Sequence, residues 1–161
     1  MLIFLDIDGV MVPAKSWQRP EILEDGFVAF SSKAVQVLKE MLSQNTNACI
    51  MLTTSHKSRF SQSEWIEIFQ RRGLNVNQLN SLVENTELLS RKEEILNWFN
   101  INEIQEDFII IDDDKSLNDL PKFFKDRLVL TSSLVGLNES HTADIQDIVS
   151  TQLSISLVNN I

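Results

Sequence analysis

Two stretches of the sequence decide the fold: Leu2-Ile3-Phe4-Leu5-Asp6-Ile7-Asp8-Gly9 near the start, and Phe108-Ile109-Ile110-Ile111-Asp112-Asp113-Asp114 far downstream. Each stretch is a run of four apolar residues that ends abruptly in carboxylates. Short apolar runs without polar alternation are typical of strands buried on both faces, as in a parallel sheet. The two stretches therefore predict two buried strands whose carboxyl ends carry acidic side chains.

The rest of the chain continues this pattern. Ala48–Leu52 is another buried apolar run, and Arg127–Leu130 is a weaker one. Amphipathic helical patterns lie between the runs, with start signals at Ser31 or Ser32, Ser63, the Ser90–Glu93 capping box and Asn138. Buried strands that alternate with amphipathic helices predict an α/β fold with three α/β/α layers and a parallel central sheet, resembling the Rossmann fold.

Composition limits the class of protein. The chain has 161 residues, of which 43% are hydrophobic and 23% are charged, as in ordinary globular domains. We therefore expect residues 1–161 to form a single domain. The single cysteine, Cys49, excludes an internal disulfide framework and a cysteine-based zinc cluster. Because the opening apolar run is short, lacks a basic segment and ends at Asp6, we expect neither a signal peptide nor a membrane span, and a cytoplasmic location.

The net charge of −9 is concentrated in one half of the chain. Residues 81–161 contain fifteen acidic and six basic side chains, whereas residues 1–80 contain eight of each. An acidic body repels nucleic acid at long range, so we expect no extensive binding to DNA or RNA. A local basic patch remains possible around Lys57, Arg59, Arg71 and Arg72.

Polar side chains follow the predicted strands, where doubly wound sheets bind ligands. Asp6 and Asp8 follow the first strand, Thr53 and Thr54 follow the second, and Asp112–Asp114 follow the third. Crowded oxygen ligands of this kind suit Mg²⁺. A calcium loop of the EF-hand type is excluded, because its glycine stands sixth whereas Gly9 is the fourth residue from Asp6.

The motifs and their order resemble the haloacid dehalogenase (HAD) superfamily of aspartate-nucleophile phosphatases. Asp6-Ile7-Asp8-Gly9-Val10 resembles its first motif, Thr53 the second, and Asp112-Asp113 the fourth. Lys92, with Arg91 as the competing residue, stands where the third motif places a cation. The chain is also similar to the small bacterial HAD domains of Swiss Army Knife RNA repair proteins, which tend to have Trp-Arg where this chain has His56-Lys57.

The resemblance implies a role for each of these residues. Asp6 would be the nucleophile and Asp8 the general acid and base. Mg²⁺ would be held by Asp6, the backbone carbonyl of Asp8, Asp112 and Asp113, with Asp113 either a direct ligand or an acceptor for metal-bound water. Thr53, Thr54 and Lys92 would bind the phosphate, and Lys92 would also stabilise charge during the reaction.

The resemblance therefore implies a Mg²⁺-dependent phosphatase that acts on an accessible terminal phosphate, carried by a small molecule or by the end of a macromolecule. The alternative is a non-catalytic HAD-like domain that binds a phosphorylated ligand or a protein partner. The gap at Val12–Phe30 spans nineteen residues, too short for a cap domain, so we expect only a flap there. Trp17 in this flap either closes over substrate or packs on the body of the domain.

Overall fold

The computed structural model of the protein describes residues 1–15, 17–103 and 106–159, with side chains as far as residue 155. The strands are β1 Leu2–Leu5, β2 Cys49–Leu52, β3 Gln78–Ser81, β4 Phe108–Asp112 and β5 Leu128–Leu130. The helices are α1 Ser32–Gln44, α2 Gln62–Arg71, α3 Arg91–Ile101, α4 Lys122–Lys125 and α5 Thr142–Asn159. All strands pair in parallel, in the order β3-β2-β1-β4-β5, which confirms the predicted parallel sheet.

The sheet has a hydrophobic core on each face. Successive side chains of a strand point to opposite faces, so Ile3 and Leu5 of β1 face one core and Phe4 faces the other. The first core contains Leu38 of α1 together with residues of α2 and α5, whereas the second contains Ile95 of α3. The three-layer α/β/α architecture expected from the alternating pattern is therefore confirmed.

The order of the strands creates a crevice between β1 and β4. The chain runs outward from β1 through β2 to β3, and α3 then carries it back to β4 on the other side of β1. Loops that leave β1 and β4 diverge to opposite faces at such a switch point, and ligands of doubly wound sheets bind in the gap. The residues that follow β1 and β4 are therefore placed for function.

The strand β3 and the start of α2 differ from the sequence pattern. In β3 only Leu79 is buried, because β3 lies at the edge of the sheet, and so no apolar run marks it. The start of α2 predicted at Ser63 is wrong: Ser61 caps the helix and shares a capping box with Glu64. The capping box of Ser90 with Glu93 at the start of α3 is confirmed. None of the helices among the described residues combines the length and apolar character needed to cross a bilayer.

The segment from residue 12 to residue 30, apart from the undescribed residue 16, contains no regular helix or strand. Its base is fixed to the end of α2, because Arg72 forms an ion pair of 2.6 Å with Asp25 and donates hydrogen bonds to the carbonyls of Phe27 and Val28. Trp17, by contrast, is 79% exposed. Of the two roles considered for Trp17, packing on the body of the domain is therefore not observed.

Candidate active site

Three carboxylates meet at the crevice between β1 and β4. Leu5 of β1 pairs with Ile111 of β4, so the next residues, Asp6 and Asp112, stand at the same level of the sheet. One carboxylate oxygen from each of Asp6, Asp112 and Asp113 lies within 4.8 Å of the others. The convergence predicted from the two acidic strand ends is thus observed. We call these three residues the carboxylate cluster.

Burial and mutual repulsion raise the pKa values of the three carboxyl groups in the carboxylate cluster. Desolvation, followed by repulsion from Asp112, raises the pKa of Asp6 to about 7. Desolvation likewise raises the pKa of Asp112 to about 6, and it raises the pKa of Asp113. A bound divalent cation would offset this repulsion, and an all-oxygen donor set suits Mg²⁺. The residues present therefore fit a magnesium ion.

Arg91, the first residue of α3, is the cation of the cluster. Its Nη2 lies 3.6 Å from Asp6 Oδ1, and its Nε lies 3.0 Å from Asp112 Oδ2. Its Nη1 donates to the backbone carbonyl of Thr53. The positive charge lowers the pKa of both Asp6 and Asp112, and so partly opposes the effect of burial.

Lys92, expected to supply this cation, points elsewhere. Consecutive helix residues are rotated by about 100° around the axis, so Arg91 and Lys92 cannot face the same group. The backbone N–H of Lys92 donates to the Ser116 hydroxyl, and its side chain forms no ion pair within the described part of the chain. Of the two candidate cations, Arg91 therefore lies against the carboxylate cluster and Lys92 forms no ion pair with it.

A buried ion-pair chain supports Arg91 from behind. Glu94 Oε2 lies 3.0 Å from Arg91 Nη1, and Glu94 Oε1 accepts a hydrogen bond of 3.1 Å from Lys57 Nζ. The backbone carbonyl of Lys57 in turn accepts a hydrogen bond from the indole N–H of Trp65. Sequence reasoning missed Glu94 and assigned Lys57 no role in the site, because they are 37 residues apart in the chain. The only local signal is that Glu94 stands one helical turn after Arg91.

Asp8 has an environment unlike that of Asp6. Its side chain is 59% exposed and its carboxylate lies outside the carboxylate cluster. Asp8 Oδ2 is hydrogen-bonded at 2.8 Å to Nε2 of His56, whose ring packs edge-on against Phe27 at 5.5 Å between centroids. The two carboxylates of the first motif are thus separated into one buried group beside Arg91 and one solvent-facing group held by a histidine.

Thr53 and Thr54 are both fully buried at the end of β2. The Thr53 hydroxyl donates a hydrogen bond of 3.2 Å to Asp112 Oδ2 and so contacts the carboxylate cluster. The Thr54 hydroxyl accepts a hydrogen bond from the backbone N–H of His56. Thr53 therefore lies against the carboxylate cluster, while Thr54 stabilises the turn that carries His56 and Lys57.

Gly9 allows the loop after β1 to approach Asp113 closely. Its φ of +75° favours glycine, and a Cβ atom built there would lie 2.0 Å from Asp113 Oδ2. The Thr131 hydroxyl, just beyond β5, donates at 2.8 Å to the Gly9 carbonyl and anchors the loop. The glycine of the first motif is therefore required both by the backbone and by the neighbouring carboxylate.

Comparison with known proteins adds one finding. Residues 2–142 match the family described as the HAD domain in Swiss Army Knife RNA repair proteins. The matched range begins at β1 and ends at the first residue of α5, so it includes every site residue named above. No curated protein and no solved structure matches the chain.

Proposed function

This chain belongs to the family of HAD domains in Swiss Army Knife RNA repair proteins, and on that premise we propose that it is a phosphatase that hydrolyses an accessible terminal phosphate monoester. One observation carries the proposal: Asp6 is buried beside Arg91 and two further carboxylates, whereas Asp8 stands two residues away in solvent. A carboxylate held beside a cation and fit to share a metal suits a nucleophile, and a carboxyl group two residues away that reaches solvent suits a proton carrier.

In the first step, a carboxylate oxygen of Asp6 attacks the phosphorus atom of the substrate. A bond forms between that oxygen and phosphorus, and the bond from phosphorus to the ester oxygen breaks. The proton of Asp8 passes to the departing oxygen, so that the leaving group is released as a neutral alcohol. His56, hydrogen-bonded to Asp8 Oδ2, orients the Asp8 carboxyl for this transfer.

In the second step, water replaces the enzyme on phosphorus. The ionised Asp8 takes a proton from a water molecule, and the resulting hydroxide attacks the phosphorus of the aspartyl-phosphate. The bond between phosphorus and the Asp6 oxygen breaks, which releases inorganic phosphate and restores the Asp6 carboxylate. Asp8 is then protonated again, ready for the next substrate.

Charge neutralisation accompanies both steps. Asp6, Asp112 and Asp113, together with the backbone carbonyl of Asp8, would hold Mg²⁺. When bound, the ion supplies positive charge that offsets the repulsion between these carboxylates and the phosphate. Arg91 adds a fixed cation on the protein side and keeps Asp6 more ionised than burial alone would allow.

The proposal is tested by exchanging single carboxylates for amides. We expect Asp6→Asn to abolish hydrolysis of phosphate monoesters, because an amide is a very poor nucleophile. Asp8→Asn should slow turnover by about 10²–10⁴, the usual contribution of general acid–base catalysis. Steady-state release of phosphate from nucleotides, sugar phosphates and end-phosphorylated oligonucleotides, with Mg²⁺ or with a chelator, measures both effects.

Asp119→Asn is the matched control, because Asp119 is exposed and lies outside the carboxylate cluster. It should leave turnover unchanged. Full activity of Asp6→Asn would refute the covalent mechanism. A wild-type protein that binds phosphorylated compounds without hydrolysing any of them would instead support the non-catalytic alternative.

A further inference from the structure

We propose that Phe27 is a positioning residue for proton transfer: by holding the ring of His56, it keeps the Asp8 carboxyl where that group reaches the leaving oxygen of the substrate. This role rests on the proposed function, since it concerns the acid that releases the leaving group. Phe27 belongs to the segment 12–30, which contains no regular helix or strand in its described part. The segment then serves as a support for the acid, in addition to any role as a flap.

Asp8 lacks the burial that fixes Asp6. Its side chain is 59% exposed, and exposed side chains change rotamer within picoseconds to nanoseconds. A general acid must lie within hydrogen-bond reach of the leaving oxygen. Contacts between exposed polar groups contribute little free energy by themselves. The hydrogen bond of 2.8 Å from His56 to Asp8 therefore fixes the carboxyl only if the His56 ring is itself held.

Phe27 holds the ring of His56. The two rings meet edge to face, with centroids 5.5 Å apart and planes at 79°, which is a favoured geometry for aromatic pairs. At the backbone, the N–H of His56 donates to the Thr54 hydroxyl at 3.3 Å. Together the ring contact and the backbone bond restrict the torsions that direct His56 Nε2 toward Asp8.

Phe27 is itself fixed through its ring and its backbone. The residue is 1% exposed, and its ring centroid lies 5.1 Å from that of Trp65 and 5.7 Å from that of Phe60. Its carbonyl accepts a hydrogen bond of 3.1 Å from Arg72, and its N–H donates to Asp25 at 3.1 Å. Because protein interiors are close-packed and resist displacement, a ring fixed in this way can hold a neighbour in place.

The geometry gives the two Asp8 oxygens different tasks. With its hydrogen on Nε2, His56 donates to Oδ2 of Asp8, and Oδ1 carries the proton to be transferred. As the bond from phosphorus to the ester oxygen breaks, this proton passes to the ester oxygen and Asp8 becomes a carboxylate. The N–H of His56 stays on Oδ2 and stabilises the new negative charge.

Leaving groups of different strength separate proton transfer from the other steps. The 4-nitrophenolate ion departs without a proton, whereas phenolate, a poorer leaving group, gains from receiving one. The parameter kcat/KM reports the steps up to release of the leaving group. The measured quantity is the kcat/KM for 4-nitrophenyl phosphate divided by that for phenyl phosphate, which we call the leaving-group ratio.

Phe27→Leu and Phe30→Leu are a matched pair of variants. Both rings lie in the same segment and contact Arg72, whose guanidinium carbon is 5.8 Å from the Phe27 centroid and 4.9 Å from that of Phe30. Among the described ring pairs, however, only Phe27 contacts His56. We expect Phe27→Leu to raise the leaving-group ratio roughly tenfold, a part of the usual contribution of a general acid. Phe30→Leu should leave the ratio unchanged.

His56→Ala tests whether Phe27 acts through His56. It should raise the leaving-group ratio at least as much as Phe27→Leu does, and combining the two changes should raise the ratio no further. An unchanged ratio in Phe27→Leu, an equal rise in Phe30→Leu, or a further rise in the double variant would overturn the proposal. If Phe27→Leu does not fold, Phe27→Met and Phe30→Met replace the pair, because methionine fills irregular gaps.

NMR tests the same contact independently of hydrolysis. Asp8→Asn should shift the ring nitrogen signals of His56 in the wild-type protein and in Phe30→Leu, and should shift them much less in Phe27→Leu. If the wild-type protein hydrolyses no phosphate ester, the proposed function fails, and these shifts alone decide whether Phe27 holds the pair. Equal shifts in Phe27→Leu and Phe30→Leu would overturn the role of Phe27 whether or not the protein is active.

Discussion

Replacing Arg91 with glutamine removes a positive charge that contacts both Asp6 and Asp112. Lys92 offers a matched control, because Lys92→Gln removes the same charge from the next residue of the same helix turn. The structure predicts opposite outcomes for the two variants, since only Arg91 reaches the carboxylate cluster. We expect Arg91→Gln to impair hydrolysis severely and Lys92→Gln to leave it nearly unchanged.

The distances set the size of the effect. At an effective dielectric constant of about 20, the Arg91–Asp112 pair at 3.0 Å corresponds to an attraction of about 5.5 kcal/mol. The Arg91–Asp6 pair at 3.6 Å corresponds to about 4.6 kcal/mol. Part of this attraction only offsets the free-energy cost of removing the two charges from water, and breaking a buried pair typically costs about 3–5 kcal/mol. We therefore expect a loss of about 10²–10³ in kcat/KM, as when a fixed electrostatic donor is removed.

The pH profile adds a second readout. Arg91 lowers the pKa of Asp6 and of Asp112, so its removal raises both values and leaves fewer carboxylates ionised near neutral pH. The acid limb of the kcat/KM profile should therefore move to higher pH in Arg91→Gln and stay in place in Lys92→Gln. Phosphate release measured across pH at saturating Mg²⁺ decides between them. An equal or larger loss in Lys92→Gln would refute the assignment of Arg91 as the cation of the site.

Two further predictions concern metal-free stability and the loop after β1. The pKa of Asp6 rises on folding from 3.8 to about 7, so the stability that this group contributes is present below about pH 4 and is lost as pH rises through about 7. In the presence of a chelator, the thermal midpoint should therefore decrease as the pH is raised from about 5 to about 8, and it should decrease less in Asp6→Asn. Mg²⁺ should raise the midpoint most at the higher pH. Identical pH curves for the two proteins would contradict the assigned pKa. Gly9→Ala should weaken Mg²⁺ binding, measured by calorimetry, because the added Cβ collides with Asp113. Gly26→Ala, at a similar φ of +78° but with open space around it, should keep Mg²⁺ affinity, and equal losses in the two variants would show that backbone strain alone is responsible.

Local patterns in the sequence predicted the centre of the sheet and the positions of its acidic ends. The strands β1, β2 and β4 are buried on both faces, so nearly all of their residues are apolar and each strand stands out in the sequence as a continuous apolar run. Edge strand β3 buries only Leu79 and has no such run, which is why its position was not predicted. The cap of α2 was predicted at Ser63, two residues after the actual cap, Ser61. Several polar residues in this stretch fit the pattern of a helix start equally well.

The sequence by itself determined that Asp6, Asp112 and Asp113 would meet, because parallel strands in register bring their carboxyl ends to one edge. Only the tertiary structure placed Arg91, and not Lys92, against Asp6 and Asp112. Both residues are basic, so the sequence does not distinguish them, and the rotation between consecutive helix residues decides which one faces the carboxylates. The Lys57–Glu94 pair also required the fold, because it joins residues that are 37 positions apart along the chain. A local pattern encodes burial and strand ends, whereas contacts across the crevice depend on how the elements pack.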